Sequence, residues 1–169
     1  MAIRDSILPE FDHEMASTRK MLDRVPDGKF DWQPHGKSMT LGRLASHVAE
    51  LPHWGVATAS AGSFDVAPPG GQVYKAVSHE TRQELLAAFD KNVTEARAQL
   101  ASLDDAAMMS SWSLLRGGEA MFTMPKVSVF RSFMFNHLYH HRGQLSVYLR
   151  MLDVPVPGMY GPSADETGM

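Results

Sequence analysis

The chain has no cysteine among its 169 residues, which excludes disulfides, thiolate metal ligands and a cysteine nucleophile. Any thiol chemistry it performs must use an external thiol. It also lacks a cluster of lysines and arginines. Its 16 basic residues against 19 acidic ones leave a formal net charge of −3, the wrong sign for a nucleic-acid partner. No apolar run reaches the roughly 18 residues of a membrane span, and Met1 to Ser6 lack the uninterrupted apolar stretch of a secretory signal. These absences predict a cytoplasmic protein with neither nucleic-acid nor membrane partners. The 44% of hydrophobic residues suffices for one compact domain over residues 1–169 without covalent staples.

Apolar spacing predicts an all-α fold. A first helix runs from about Arg4 to Arg24 with Ile7, Phe11, Met15, Thr18 and Leu22 on one stripe, closed by Pro26-Asp27-Gly28. A second opens at Thr40 as N-cap, with Met39 and Leu44 at the positions of a hydrophobic staple, and carries Pro52, which should bend it just past His47. The stretch Gly62 to Val77, with Pro68-Pro69-Gly70-Gly71, is long enough to cross the end of a helix bundle. Ser78 then caps a third helix with a core row of Leu86, Phe89, Val93, Ala96, Leu100 and Leu103. Two short apolar runs around Gly117-Gly118 predict a small β-hairpin before the fourth helix, and Pro125 fits that helix's first turn. The tail, 153–169, is irregular.

The fourth helix holds the strongest functional signal. His137 and His141 stand one turn apart, a spacing that lets two imidazoles reach one metal ion. Both fall in the stripe Phe130, Met134, His137, His141, Leu145, Tyr148, Leu152, whereas His140 turns aside with Asn136 and Gly143. His47 sits in a similar row of the second helix, Leu44, His47, Leu51, Trp54. A lone histidine in such a row is usually a hydrogen-bonded core residue. Three of them each need a buried partner, because an unpaired buried polar group costs on the order of 1–3 kcal/mol. One shared cation would meet all three needs.

Taken together, Trp32-Gln33-Pro34, Lys37-Ser38-Met39-Thr40-Leu41 before the helix with His47, His137 to Gln144, and Pro157-Gly158-Met159-Tyr160-Gly161-Pro162 resemble the DinB/YfiT-like metalloenzymes over nearly the whole length. The resemblance implies a four-helix bundle with a long crossover between helices two and three. It also implies a divalent zinc or nickel ion held by His47, His137 and His141, and a homodimer. Better-understood relatives are metal-dependent transferases and isomerases that use low-molecular-weight thiols such as bacillithiol, mycothiol or glutathione.

Three neutral imidazoles leave a cation with open positions, as in catalytic sites, so the expected function is activation of water or a small thiol for transfer to, or hydrolysis of, a small electrophile. Glu50, three residues after His47, reads either as an exposed helix carboxylate or as the general base. Asn136, Arg142 and Gln144 flank the histidine pair; Arg142 reads best as the partner of an acidic side chain. Homodimerisation is also suggested by the apolar surplus Ile3, Ile7, Leu8, Leu85 and Leu86. The alternatives are a non-catalytic, stress-associated metal- or ligand-binding protein, and a helical dimerisation module whose histidines form a plain polar core.

Overall fold

The computed structural model describes residues 2–166. Helix α1 is Ile3–Leu22, α2 is Leu41–Ser60, α3 is Arg82–Ser102 and the short α4 is Asp105–Met109. The last helical rod is continuous but not uniform: α5, Lys126–Val129, passes into a π-helical stretch, Phe130–Phe135, and then into α6, Asn136–Met151. A small sheet of strand order β1-β2-β3 completes the fold. Its strands are β1, Ser63–Asp65, β2, Ser111–Arg116, and β3, Glu119–Pro125.

Cross-helix contacts fix the directions. Asp12 and Arg19 of α1 meet Arg97 and Asp90 of α3, so these helices run antiparallel. Glu10 and Glu14 meet Tyr139 and Arg142, so α1 and α6 run parallel. The Ala49 carbonyl accepts from Asn92 while Gly55 lies against Ala96, an advance in the same direction along both helices that makes α2 and α3 parallel. Parallel neighbours need a long return, which the segment between α2 and α3 supplies. Buried side chains from all four long helices and the sheet, among them Phe11, Leu44, Phe89, Trp112 and Phe135, fill the space between them.

The expected hairpin is present. Gly117 and Gly118 have φ of 65° and 82°, the two positive values that a tight primed turn between twisted strands demands. The third strand was not expected: β1 pairs parallel to β2, and the Asp65 carboxylate accepts the amides of Gly117 and Gly118 at 3.1 and 2.7 Å, tying β1 to the hairpin turn.

Several boundaries differ from expectation. The third helix is capped by Thr81, not Ser78: the Thr81 hydroxyl accepts the Glu84 amide at 3.2 Å, while the Glu84 carboxylate reaches back to the Glu80 amide at 3.1 Å. That reciprocal pair resembles a capping box, and it outcompetes a serine three residues earlier. The core row of α3 accordingly begins at Leu85, fully buried, rather than at Leu86, which is only partly covered along with Val93. At the start of α2 the Thr40 cap is real, but Met39 is exposed, so the hydroxyl and not an apolar clasp sets that end. Pro125 closes β3 and stands at the N-cap instead of inside the helix. In the last rod the π stretch inserts an extra residue, so Leu138, Leu145 and Leu149 form the deepest row, with Tyr148 and Leu152 at its edge.

The apolar surplus expected to cover a partner is absorbed by the chain itself. Ile7 and Leu85 are fully buried, and Ile3, Leu8 and Leu86 pack against the same core.

Candidate metal centre

The three histidines expected from the sequence converge. One ligand nitrogen from each of His47, His137 and His141 lies within 4.8 Å of the others. The closest pair, His47 Nε2 and His137 Nε2, are 3.2 Å apart. Two imidazole nitrogens bound to a tetrahedral ion at about 2.0–2.1 Å stand about 3.3 Å apart, so this spacing is compatible with two ligands of one cation.

Backbone packing brings them together. Gly55, two turns beyond His47, has no side chain to hold the helices apart: an added Cβ would lie 2.9 Å from the Met134 sulfur and 3.4 Å from the Phe130 ring. The close approach lets α2 press against the π stretch, which turns His137 and His141 toward His47. Single-turn π insertions are frequent at functional sites.

Each ring also has an outer partner that selects its free nitrogen. His141 Nδ1 donates to Gln144 Oε1 at 2.8 Å, leaving Nε2 with its lone pair. His47 Nδ1 faces Glu50 Oε2 at 3.5 Å. That is too long and poorly aligned for a full hydrogen bond, and Nδ1 is otherwise a buried polar atom without a partner. The carboxylate still favours the proton on Nδ1, which bares Nε2. His47 Nε2 and His137 Nε2, 3.2 Å apart, either share a proton or, with both protons on Nδ1, repel unless a cation sits between them. A carboxylate or amide oxygen behind the imidazole is the usual outer shell of a metal-binding histidine. The donor set thus fits a divalent ion without any thiolate.

Burial shapes the electrostatics. It holds the His137 imidazole down to about 4, helped by the neighbouring charges of His47 and His141 and opposed by the Phe133 carbonyl. Burial lowers His141 as well, against the raising effect of Gln144. Both rings are therefore neutral, the form that binds metal. The unfolded chain takes up protons that the folded chain refuses as pH falls from the ordinary 6.5 toward about 4, so metal-free protein should lose stability across that window. Urea midpoints measured at successive pH values should fall there, and the loss should be shallower in His137→Gln; identical profiles would contradict it.

Glu50 is not the exposed helix carboxylate that was one reading of the sequence. It is buried, accepts from the Tyr74 hydroxyl and from the Val77 amide at 3.4 Å, and faces His47 with its other oxygen. Burial alone would push its carboxyl up, but the facing His47 ring, the donors Tyr74 and Val77, and the Arg43 charge hold it below the ordinary value. Tyr74 comes from the long crossover, a partner that no local pattern around Glu50 could reveal. The same hydroxyl is pushed well above its usual range by burial and the adjoining carboxylate.

The other flanking residues separate cleanly. Asn136 and His140 are exposed. Arg142 is buried and pairs with Glu14 at 2.6 Å, the acidic partner expected of it. Tyr139 and Tyr148 pack and cap: the first donates to Glu10 at 2.9 Å, the second to the Met39 carbonyl at 3.3 Å.

The model of the DinB family matches residues 4–168. The chain belongs to the DinB family. Among curated relatives, the uncharacterized protein YrdA of Bacillus subtilis (strain 168) is 27% identical over 170 residues, covering 96% of this chain and 90% of that protein. Two solved structures share the DinB fold. A DinB-like protein from Bacillus cereus ATCC 10987 superposes with a TM-score of 0.70 at 24% identity, covering 94% of this chain and 98% of that one. The DinB-like protein YjoA of Bacillus subtilis does so with 0.69 at 16% identity, covering 91% and 97%. As in the expected DinB architecture, the chain is mostly helical with a small sheet, and none of its described helices is long and apolar enough to cross a membrane.

Proposed function

We propose that this DinB protein is a metal-dependent enzyme that activates water or a low-molecular-weight thiol for attack on a small electrophile. In this reading the four long helices act as a bundle that holds a zinc or nickel ion on His47, His137 and His141. The observation that carries it is the convergence of three imidazoles, one nitrogen of each within 4.8 Å of the others and the closest pair 3.2 Å apart. Such a cation supplies Lewis acidity and lowers the pKa of a bound water or thiol.

The chain's own groups define the rest. A cavity of about 580 Å³ lies beside the centre, lined by Trp54, Val66, Tyr74, Leu114 and Phe133 among others. None of the three histidines lines it directly, but Phe133 is one turn before His137 with the two rings 5.9 Å apart. Tyr74 reaches the centre through Glu50. Trp54 packs edge-on against Tyr74 and Phe133 at 5.3 Å, so these rings form a rigid apolar slot. An electrophile with an apolar or aromatic body fits it.

Turnover of an aromatic electrophile with a small thiol, by zinc- or nickel-loaded protein, tests the reading. Loaded protein that retains its metal yet turns over neither thiol nor water would leave the non-catalytic binding protein standing instead. Homodimer formation in this reading rests on the family resemblance alone.

Glu50 has a positioning duty here rather than that of the general base. One of its oxygens accepts from Tyr74 and Val77 and the other is turned toward His47 at 3.5 Å, so it ties the imidazole to the crossover. Glu50→Gln should weaken zinc binding about 10- to 100-fold, the usual cost of losing an outer-shell carboxylate, as read by chelator competition. Unchanged affinity with reduced turnover would restore the general-base role.

A further inference from the structure

Arg43 is one turn before His47 on α2 and therefore shares its helix face, about 6 Å away along the axis. Its Nη1 is shut off from water and has no hydrogen-bond partner among the described residues. The arginines in ion pairs are Arg19, Arg97, Arg131, Arg142 and Arg150, and Arg43 is not among them. A guanidinium cannot shed its proton to escape that cost. Its position compounds the penalty. Arg43 is the third residue of α2, after the Thr40 cap, where the helix dipole disfavours a cation.

Among the described residues no ion pair or hydrogen bond to Nη1 repays this arrangement. The guanidinium nevertheless stands near the histidine centre: its charge helps to hold down both the His141 imidazole and the Glu50 carboxyl. Arg43 also lines a second cavity, of about 790 Å³, with Trp32, Thr40 and His79. Acidic residues share that cavity's outer wall, but Asp27 is occupied by the Arg82 amide at 2.6 Å, and Asp31 and Glu80 are exposed. Along α2 the order is Arg43, His47, Trp54, which puts a cationic end and an apolar end on opposite sides of the centre.

We propose that Arg43 is the receptor for a carboxylate group on the small molecule that this centre acts upon. The inference rests on the proposed function and adds the substrate class: a carboxylate-bearing molecule whose reacting atom lies about one helix turn from the carboxylate. The planar fork of the guanidinium suits two parallel hydrogen bonds to such a group. The carboxylate can arrive on the thiol or on the electrophile, and two matched pairs of probes separate these sources.

The test is calorimetric titration of zinc-loaded protein with mercaptopropionate against mercaptoethanol, and with cinnamate against cinnamamide. In at least one pair the carboxylate member should bind about tenfold tighter or more, as expected of a charge-assisted pair of hydrogen bonds. Arg43→Gln should erase that preference and leave the neutral member's affinity unchanged, while Arg43→Lys keeps part of it. The pair that shows the preference identifies the source. The unliganded Arg43→Gln protein should melt at the same temperature as wild type or higher, because the substitution removes a half-buried charge whose Nη1 has no partner.

A clear drop in melting temperature would show that Arg43 is structural and overturn the proposal. So would equal affinities within both pairs of wild type, or a preference that survives Arg43→Gln. If mercaptoethanol fails to bind zinc-loaded wild type, the thiol arm of the proposed function fails, and the cinnamate pair still decides Arg43 on its own.

Discussion

His137→Ala should remove zinc binding almost entirely. The wild-type chain is expected to retain one zinc per chain after dialysis, and the variant none. His137 Nε2 is the nitrogen 3.2 Å from His47 Nε2, so its loss leaves two imidazoles with one ligand edge gone. Losing an outer-shell partner costs about 10- to 100-fold in affinity, and a direct ligand should cost more than the upper end of that range. The consequence reaches stability by mass action. Zinc at roughly a thousand times its dissociation constant stabilises the wild-type fold by about 4 kcal/mol, and the same concentration should do little for the variant.

The metal-free forms should behave differently. The His137 imidazole is disfavoured in its charged form by burial, down to about 4, and its partner in the metal-free fold is the Phe133 carbonyl. Its removal from metal-free protein should therefore cost little. A zinc-dependent rise in melting temperature that survives in His137→Ala would place the ion elsewhere and take the proposed function with it.

The histidines were legible because they obey two patterns at once. His137 and His141 keep the spacing of a ligand pair, and His47 interrupts an apolar row where a polar side chain needs a reason. The rest of the centre was hidden by distance along the chain. Glu50 looks like a surface carboxylate from its neighbours, since Tyr74 and Val77, which bury and bond it, arrive through an irregular crossover with no periodic signal. Arg43 looks like an ordinary helix residue, and its isolation appears only when the surrounding elements are in place. The sole local hint was a cation in the first turn of a helix.

The π stretch shows a different kind of blindness. Phe130, Met134, His137 and His141 step by three and four as a regular helix would, so an inserted residue leaves no mark on the pattern. Its effect appears in which residues are deepest: Leu138 and Leu149, off the expected stripe, are fully buried. Strand β1 escaped notice because three residues, Ser63–Asp65, are too few to show alternation. The third helix had two candidate caps, Ser78 and Thr81. Only Thr81 has a glutamate at the third position beyond it, a signal that was available and outranks the serine.

Arg142→Ala should destabilise the fold by about 3–5 kcal/mol, the cost of leaving one partner of a buried ion pair without the other. The Arg142 and Glu14 side chains are only 3% and 6% exposed and meet at 2.6 Å. Arg142 also donates to the Thr18 hydroxyl at 3.0 Å and to the Tyr160 hydroxyl at 2.7 Å, while Tyr160 donates to Glu14 at 3.0 Å. The guanidinium thus joins α1, α6 and the tail at one point, next to His141. Truncation would strand the Glu14 carboxylate in the core and free Tyr160, so the tail beyond Leu152 should become more open to proteolysis. Urea unfolding of wild type, Arg142→Ala, Glu14→Leu and the double variant Glu14→Leu/Arg142→Met separates a damaging single loss from the worth of the pair itself. The double variant should recover most of the stability, since well-packed apolar replacements of a buried pair are often neutral or better. A cost below about 1 kcal/mol for Arg142→Ala, the range of exposed ion pairs, would mean that water reaches the carboxylate and that the tail is not held here.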